Sequence, residues 1–354
     1  MHRILVDQQQ IIKTRLDRAA PAPLRQGEAR LKLQSFALTA NNVTYAASGF
    51  AIGYWKFFPT DQQGQGLVPV WGVAQVVESQ AADLAVGTRL YGFYPMAEEL
   101  VITPKSDAQG AVLDIAPHRK DLPLIYNQYL PVLGSTPEQD HLRALLQPLL
   151  ATSYLLFDWL MDNDWFGAGQ IIIGSASSKT GLGLCKYLAE LQGRPYRIVG
   201  LTSPRNRDFV QGLGACDSVL GYDEIGNVAQ VPSVYVDMAG NSALKAQLHE
   251  RLADHLRHSA AVGLSHWDKF DQNQALAGPK PQFFFAPAQV AKRREDWGAG
   301  VIEKQISQAW KRVASEASTW LNVRVHDGIG ACETVYQALA NGTADPRDGH
   351  IIRL

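Results

Sequence analysis

One stretch constrains this chain more than any other: Gln170-Ile-Ile-Ile-Gly174-Ser-Ala-Ser-Ser-Lys179-Thr-Gly181-Leu-Gly-Leu-Cys185-Lys-Tyr-Leu-Ala189. Ile171 to Ile173 form a short, wholly apolar, β-branched run, which suits a strand buried on both faces of a parallel sheet. Small polar residues make the turn. From Thr180 the apolar positions Leu182, Leu184, Leu188 and Leu191 suit a helix packed back on that strand. Strand, turn and helix start together offer backbone N–H groups and a positive dipole end to a phosphate. The candidate phosphate-binding residues are therefore Ser175, Ala176, Ser177, Ser178, Lys179, Thr180 and Gly181. The loop departs from the usual dinucleotide fingerprint, because Ser178 and Lys179 stand where glycines let backbone approach a pyrophosphate. A lysine in the first helical turn is opposed by the dipole unless an anion balances it. The alternative is that Lys179 points into water.

On either side of this stretch the chain changes character. Before it, Ala29–Gln34 reads as a period-two strand with Leu31 and Leu33 inward, and asparagines 41 and 42 sit in a polar segment expected to be a turn. Val68–Ser79, Val86–Tyr94 and Glu99–Pro104 are further short β-rich runs, the pattern of a small antiparallel barrel or sandwich. Helical spacing begins at Pro137 and continues, interrupted at Pro148, to Met161. After the central stretch, strands are expected at Tyr196–Ser203, Ser218–Tyr222, Ser233–Gly240, Ser259–His266 and Gln282–Phe285, with Asn241 capping a helix. Six strands with helical crossovers describe a doubly wound parallel sheet, so the fold class is α/β. One helix over Pro287–Leu321, a strand from Val323, a helix over Ala331–Ala340 and a strand from Gly349 complete the chain.

At 354 residues, two domains are expected. Lys plus Arg (33) nearly balance Asp plus Glu (34), so charge gives no case for a nucleic-acid or membrane partner. Cys185, Cys216 and Cys332 are far apart in sequence and form neither a disulfide framework nor a Cys-x-x-Cys site, which points to a reducing compartment. No apolar run is expected to span a membrane, and Met1–Gln10 lacks a signal-peptide pattern. A soluble cytoplasmic protein is the expectation.

A β-rich first part, a central six-stranded nucleotide fold and a closing return to strand and helix resemble the medium-chain dehydrogenase/reductase superfamily. The likeness is to its zinc-free quinone oxidoreductase and enoyl reductase branch. It rests on Asn41-Asn42-Val-Thr44, Trp71-Gly72-Val-Ala-Gln-Val-Val-Glu78, Val86-Gly-Thr-Arg-Leu90, Gly212-Leu-Gly-Ala215, Asp237-Met-Ala-Gly240 and Gly349-His-Ile-Ile-Arg-Leu354. The resemblance implies a GroES-like β-rich domain (1–135, completed by 287–354) around a Rossmann domain (136–286). Thr44 stands where the family has aspartate, and Val73 and Ala74 stand where its Glu usually begins. A homodimer through the last Rossmann strand is implied by the resemblance alone.

After the second Rossmann strand, NAD-specific proteins place an acid on the ribose hydroxyls. Here Leu201, Thr202, Ser203, Pro204, Arg205, Asn206 and Arg207 contain none. Ser203 can hydrogen-bond a 2′-phosphate, and Arg205 or Arg207 can pair with it, so NADP(H) is expected over NAD(H). The alternative is a charged first turn on a surface helix. The resemblance adds Tyr222, Ala239 and Gly240 as cofactor contacts, and the backbone at Phe285 as a place for the nicotinamide carboxamide. It also places Asn41 or Asn42 and Tyr45 beside the nicotinamide, where an amide polarises an oxygen and a phenol relays a proton. Tyr45 equally suits a half-buried barrel position. Ser265 and His266 follow a strand and would reach a cleft, with His266 a second candidate proton donor, although a surface turn also accounts for it. No metal is expected, since three scattered cysteines cannot build a zinc lobe. The functional expectation is an NADP(H)-dependent, zinc-independent oxidoreductase acting on a small carbonyl, enone or quinone. The rivals are a non-catalytic dinucleotide-binding sensor or scaffold, and an enzyme using Lys179 for another phosphorylated ligand.

Overall fold

The computed structural model describes residues 1–21, 23–107, 110–238, 240–262 and 276–354. The chain divides into two units, Met1–Leu145 with Leu321–Leu354, and Leu146–Trp320. The first begins with β1 (His2–Asp7), β2 (Thr14–Arg18), β3 (Ala29–Leu38), helix α1 (Ala40–Ala47), β4 (Gln65–Gly66) and β5 (Pro69–Ser79). It continues through β6 (Arg89–Pro95), β7 (Glu99–Ile102), β8 (Pro104–Ser106), β9 (Val112–Asp114) and β10 (Gln128–Pro131), after which helix α2 (Pro137–Asp162) leads into the second. There follow β11 (Gln170–Gly174), α3 (Lys179–Glu190), β12 (Arg197–Thr202), α4 (Arg207–Gly212), β13 (Ser218–Gly221) and β14 (Ser233–Asp237). Next come α5 (Ser242–Leu252), β15 (Leu256–Ala261), β16 (Gln282–Phe283), α6 (Ala286–Trp297) and α7 (Val301–Ser315). β17 (Asn322–Asp327), α8 (Ala331–Ala340) and β18 (Asp348–Arg353) belong again to the first unit.

In the first unit the main sheet runs β17-β18-β3-β5-β6-β10-β9-β8, with β7 also on β3, and a small sheet β2-β1-β4 stands apart. Alternation fixes its register: Leu31 and Leu33 of β3 are buried, as the period-two pattern requires. Gly72 allows β5 to lie against the irregular part of β3, because a Cβ there would come 2.3 Å from the Ser35 carbonyl oxygen.

In the second unit six strands pair in parallel in the order β13-β12-β11-β14-β15-β16 among the described residues. This is the doubly wound order, with its reversal between β11 and β14. Every residue of β11 is buried, as is every residue of β14.

Four expectations are corrected. Residues 41–45 are helix α1 and not a turn, because Asn42 accepts from the Thr39 N–H (2.7 Å) in a capping box and so starts a helix. Pro287–Leu321 is two helices, since Gly298 and Gly300 both take positive φ and break it. Both helices lie in the second unit, which therefore extends to Trp320 rather than ending at 286. Arg293 of α6 is ion-paired to Asp158 (2.7 Å), and Ile302 of α7 joins the buried core around Ile171. Finally, α2 is long and apolar enough to cross a membrane by length and composition, and Pro148 does not divide it. Leu145, Leu146, Leu150, Leu156 and Leu160 along it are fully buried within the protein.

Two buried histidines are expected to make the second unit acid-sensitive. His249 Nδ1 donates to the Ala277 carbonyl (2.8 Å), which leaves Nε2 to accept from the Ser259 hydroxyl (2.9 Å). His258 stacks on Phe166 with ring centroids 4.1 Å apart, and its Nε2 is shielded without a partner among the described residues. Burial, the first cause in each case, lowers both below the ordinary histidine value. Below about pH 6.5 the unfolded chain therefore binds protons that the folded chain refuses. Stability is full above that pH and falls as pH drops toward the folded-state values. The urea midpoint is expected to decline between about pH 7 and pH 5, and His258→Phe to flatten the slope.

Candidate functional site

The carboxyl ends of β11, β12 and β14 come together, with Gly174 paired to both Leu201 and Asp237. The loop between β11 and α3 is held down by its own chain. The Ala176 N–H donates to the Leu201 carbonyl (2.9 Å), and the Ser178 N–H to the Ser175 carbonyl (2.9 Å). Ser175 has φ +55°, a left-handed conformation that non-glycine residues adopt at a cost. Ser177 is buried, and its hydroxyl accepts from the Thr202 hydroxyl (3.0 Å) and from Asn206 Nδ2 (3.3 Å). Ser178 is the N-cap of α3, accepting from the Gly181 N–H at 3.1 Å. Thr180 carries its carbonyl to the Ser153 hydroxyl (2.7 Å). Gly181 is needed for close approach, because a Cβ there would lie 2.6 Å from the Ser175 carbonyl oxygen. Lys179, half-buried, opens the helix.

The loop is thus a capped helix start. Ser178→Ala removes the cap and is expected to destabilise the chain by about 1 kcal/mol, read as a lower urea midpoint with an unchanged slope.

At the end of β12, the Ser203 hydroxyl is shielded and has no hydrogen-bond partner among the described residues. Arg205 is exposed. Arg207 Nη1 donates to Glu224 Oε2 (2.8 Å), which also takes the Gly221 N–H (2.7 Å). Tyr222 hydrogen-bonds Ser175, and burial pushes its phenol up to about 12.

Beside this lies a buried polar set that the sequence reading passed over. Asp237 Oδ1 accepts from the Tyr235 hydroxyl (3.1 Å) and the Gly240 N–H (2.9 Å), and Lys245 of α5 stands 3.7 Å from Oδ2. Asp237 and Lys245 are both buried, so the pair fixes the turn that follows β14. The signal was present: Lys245 and His249 share one helical stripe beside Leu244, Leu248 and Leu252, and polar residues on an apolar face need buried partners.

In the first unit, Tyr45 is buried with ring contacts to Tyr54 (4.5 Å between centroids) and Phe93 (5.4 Å). Its hydroxyl accepts from Trp71 Nε1 (3.2 Å) and hydrogen-bonds Asn41. Burial, then the repulsion that a second phenolate at Tyr126 would bring, pushes the phenol well above its ordinary value. Tyr54 and Tyr126 share a hydroxyl contact of 3.2 Å. Two further phenols and an indole N–H therefore gather around the predicted Tyr45. Asn42 is spent on structure, donating from Nδ2 to the Pro69 carbonyl (2.8 Å) while it caps α1. Tyr54 and Tyr126 escaped the sequence reading because nothing in their spacing links them to Tyr45.

The sequence pattern of the family described as "Protein of unknown function (DUF2855)" matches residues 36–345. The chain belongs to the DUF2855 family. Comparison with curated proteins by sequence finds no match. Among solved structures, this family member is similar to CurA of Vibrio vulnificus in complex with NADPH, with TM-score 0.62, 12% identity, and 100% of this chain and 99% of that chain covered. It is also similar to Escherichia coli quinone oxidoreductase complexed with NADPH (TM-score 0.56, 13% identity, 100% of both chains). A third is the yhdH oxidoreductase of Salmonella enterica in complex with NADP (TM-score 0.54, 12% identity, 100% of both chains). These likenesses show the fold: a GroES-like β-rich unit together with a Rossmann unit.

Of the expected site residues, Ser175, Ala176, Ser177, Ser178, Lys179, Thr180 and Gly181 share one loop and helix start, with Thr202 and Tyr222 bonded to it. Gly240 follows β14 with φ +67°. Phe285 caps α6, its carbonyl taken by the Ala288 N–H (3.0 Å). Ala239, Ser265 and His266 lie outside the described residues.

Proposed function

We propose that this protein is an NADP(H)-dependent, zinc-independent oxidoreductase that transfers hydride to or from a small carbonyl, enone or quinone. The observation that carries the reading is the β11–α3 junction: a buried strand end, a helix N-terminus and a Gly181 that only a bare Cα fits. The residues fit the nucleotide. Ser203, with its unsatisfied hydroxyl beside Arg205, suits a 2′-phosphate better than a pair of ribose hydroxyls. A bound nicotinamide nucleotide supplies the hydride chemistry. The chain's own residues bind its phosphates at 175–181. In the first unit, Tyr45 with Asn41, Trp71, Tyr54 and Tyr126 would orient a substrate oxygen and hold the proton it takes up.

The three cysteines are engaged elsewhere, Cys185 beside Cys216 and Cys332 against Met96 Sδ (3.5 Å), which supports chemistry without zinc. Edge strand β16 exposes Phe283 (58%), which supports a homodimer through this edge. A reducing, cytoplasmic setting suits both the thiols and a reduced nucleotide.

A second reading is favoured by one observation: the Ser177 and Ser178 hydroxyls already take the Thr202 hydroxyl and the Gly181 N–H, donors that a phosphate would use. It is a protein that binds the dinucleotide without turning it over. Calorimetric titration with NADPH and NADH separates these. Tighter NADPH binding with turnover on a carbonyl, enone and quinone panel is expected; binding without turnover supports the second reading. Equal or tighter NADH binding refutes the cofactor preference, and no binding of either refutes both.

A further inference from the structure

One face of the β5–β6 ladder carries Trp71, Val73, Tyr91 and Phe93, since Val73 pairs with Tyr91 and Trp71 with Phe93. Tyr45 and Tyr126 pack on this face at Phe93, with ring centroids 5.4 and 4.7 Å from it. Away from them the Trp71 indole stacks on the Tyr91 ring, with centroids 5.6 Å apart and planes 20° from parallel. Arg143 of α2 brings its guanidinium carbon to 4.0 Å from the centroid of that same ring. Trp71 is half-buried and joins the two ends, because its Nε1 donates to the Tyr45 hydroxyl (3.2 Å). All these residues belong to the first unit. Tyr91 is 1% exposed, and its hydroxyl is shielded without a hydrogen-bond partner among the described residues. A buried donor left unmatched is costly, and native structures hold few. Burial holds this phenol above its ordinary value, so it keeps its proton and stays a donor. Burial also lowers the Arg143 guanidinium from its ordinary value, the mark of a cation that has lost solvent. A protonated donor and a partly desolvated cation at one ring suit an acceptor that carries negative charge.

We propose that the substrate carries a carboxylate, held by Arg143 and the Tyr91 hydroxyl, and a flat conjugated body along Trp71 that brings its reducible carbonyl to Tyr45. This names a substrate class for the oxidoreductase reading and rests on that reading for the reacting end. A planar guanidinium matches a carboxylate with two parallel N–H bonds, and the phenol adds a third. One cation suits the single charge of a carboxylate better than the two charges of a phosphate ester. The structural alternative is that Arg143 lies on Tyr91 only as a cation–π contact, its stem covering apolar surface. Losing it would then lower stability without separating charged from neutral substrates.

The test uses the full-length chain with NADPH and 4-(3-oxobut-1-enyl)benzoate, a flat enone with a carboxylate at its far end, against the methyl ester of the same compound. The alkene carbon remote from the ketone takes hydride from NADPH, its neighbour takes a proton, and the products are the saturated ketone and NADP+. The acid is expected to show a kcat/KM at least about tenfold above the ester, with the difference in KM. R143M is expected to bring the acid's kcat/KM down to the ester's, and R143K to recover only part, because an ammonium lacks the planar fork. Y91F removes an unmatched hydroxyl, so its urea midpoint is expected to be unchanged or higher while the acid's KM rises at least about threefold. A purely structural Tyr91 gives the first result without the second. An ester used as well as the acid, R143M lowering both alike, or an unmoved KM in Y91F would each overturn the proposal, and Y91F decides it if R143M misfolds. Calorimetric titration with the acid and the ester separates this proposal from the reading beneath it. Acid bound more tightly than ester, with the preference lost in Y91F but no NADPH oxidised, keeps the carboxylate site and removes the oxidoreductase. Turnover of other enones or quinones with no binding of the acid removes the carboxylate site alone, and no binding of the acid under any condition removes it as well.

Discussion

Gly181→Val is expected to raise the NADPH dissociation constant by at least about tenfold, about 1.4 kcal/mol, and to lower the melting temperature. The third residue of α3 has backbone on the side where a side chain would go. A Cβ would lie 2.6 Å from the Ser175 carbonyl oxygen and 3.1 Å from Ala176 Cα, with Ser178 Oγ at 3.0 Å. Only the last of these is the end of a side chain that can turn away. Relief therefore moves the loop off the helix, at an overpacking cost of about 1–3 kcal/mol. Gly183→Ala is the control. Its Cβ would meet Leu150 Cδ2 at 2.5 Å and Ser153 Oγ at 2.6 Å, both side-chain atoms on α2. It is expected to cost stability while leaving NADPH affinity within about twofold, a difference of roughly 0.4 kcal/mol. Thermal unfolding and calorimetric titration of the two variants check the contrast. Unchanged affinity in Gly181→Val would remove the β11–α3 junction from the binding site.

The same comparison shows where the sequence was legible. The Ile171–Ile173 run and the leucines at 182, 184 and 188 specify a buried strand and its helix through periodicity alone, and the strand–helix alternation after them specifies the sheet. Asn241 was legible as a cap because its role is local, and it does accept from the Ala243 and Leu244 N–H groups. Asn42 is equally local, yet a pair of asparagines also suits a turn, and the Pro69 carbonyl that completes its bonding comes from a distant element, strand β5. The polar sets were least legible. Cys185 with Cys216, Lys245 with Asp237, and Tyr54 with Tyr126 are each made by separate elements converging. Hydrophobic period reports which face an element buries, but not which distant residue it meets there.

Arg119→Met is expected to destabilise the first unit by about 3–5 kcal/mol, the largest single loss among these variants. Arg119 is fully buried, and its Nε stands 3.0 Å from Asp114 Oδ2, an ion pair whose N–H is not aligned for a hydrogen bond. Asp114, also buried, takes the N–H groups of Thr103 (3.0 Å) and Ala116 (3.1 Å) on Oδ1. The guanidinium lies 4.7 Å from the Phe58 ring centroid, and its Nη1 donates to Asn127 Oδ1 (3.3 Å) and to the Tyr126 carbonyl (3.4 Å). Methionine fills much of the volume but strands the Asp114 carboxylate in an apolar setting with two backbone donors. That uncompensated charge, rather than the lost contact, sets the magnitude. Asp114→Leu combined with Arg119→Met removes both charges and is expected to cost less than Arg119→Met alone, which urea unfolding of the two variants measures directly. The arginine also anchors the backbone of Tyr126, whose hydroxyl meets that of Tyr54 beside Tyr45. If those phenols orient the substrate oxygen, the double variant, though more stable than the single one, will still turn over more slowly than the unsubstituted protein, because the loop bearing Tyr126 has lost its anchor while the candidate phosphate loop in the other unit carries no substitution.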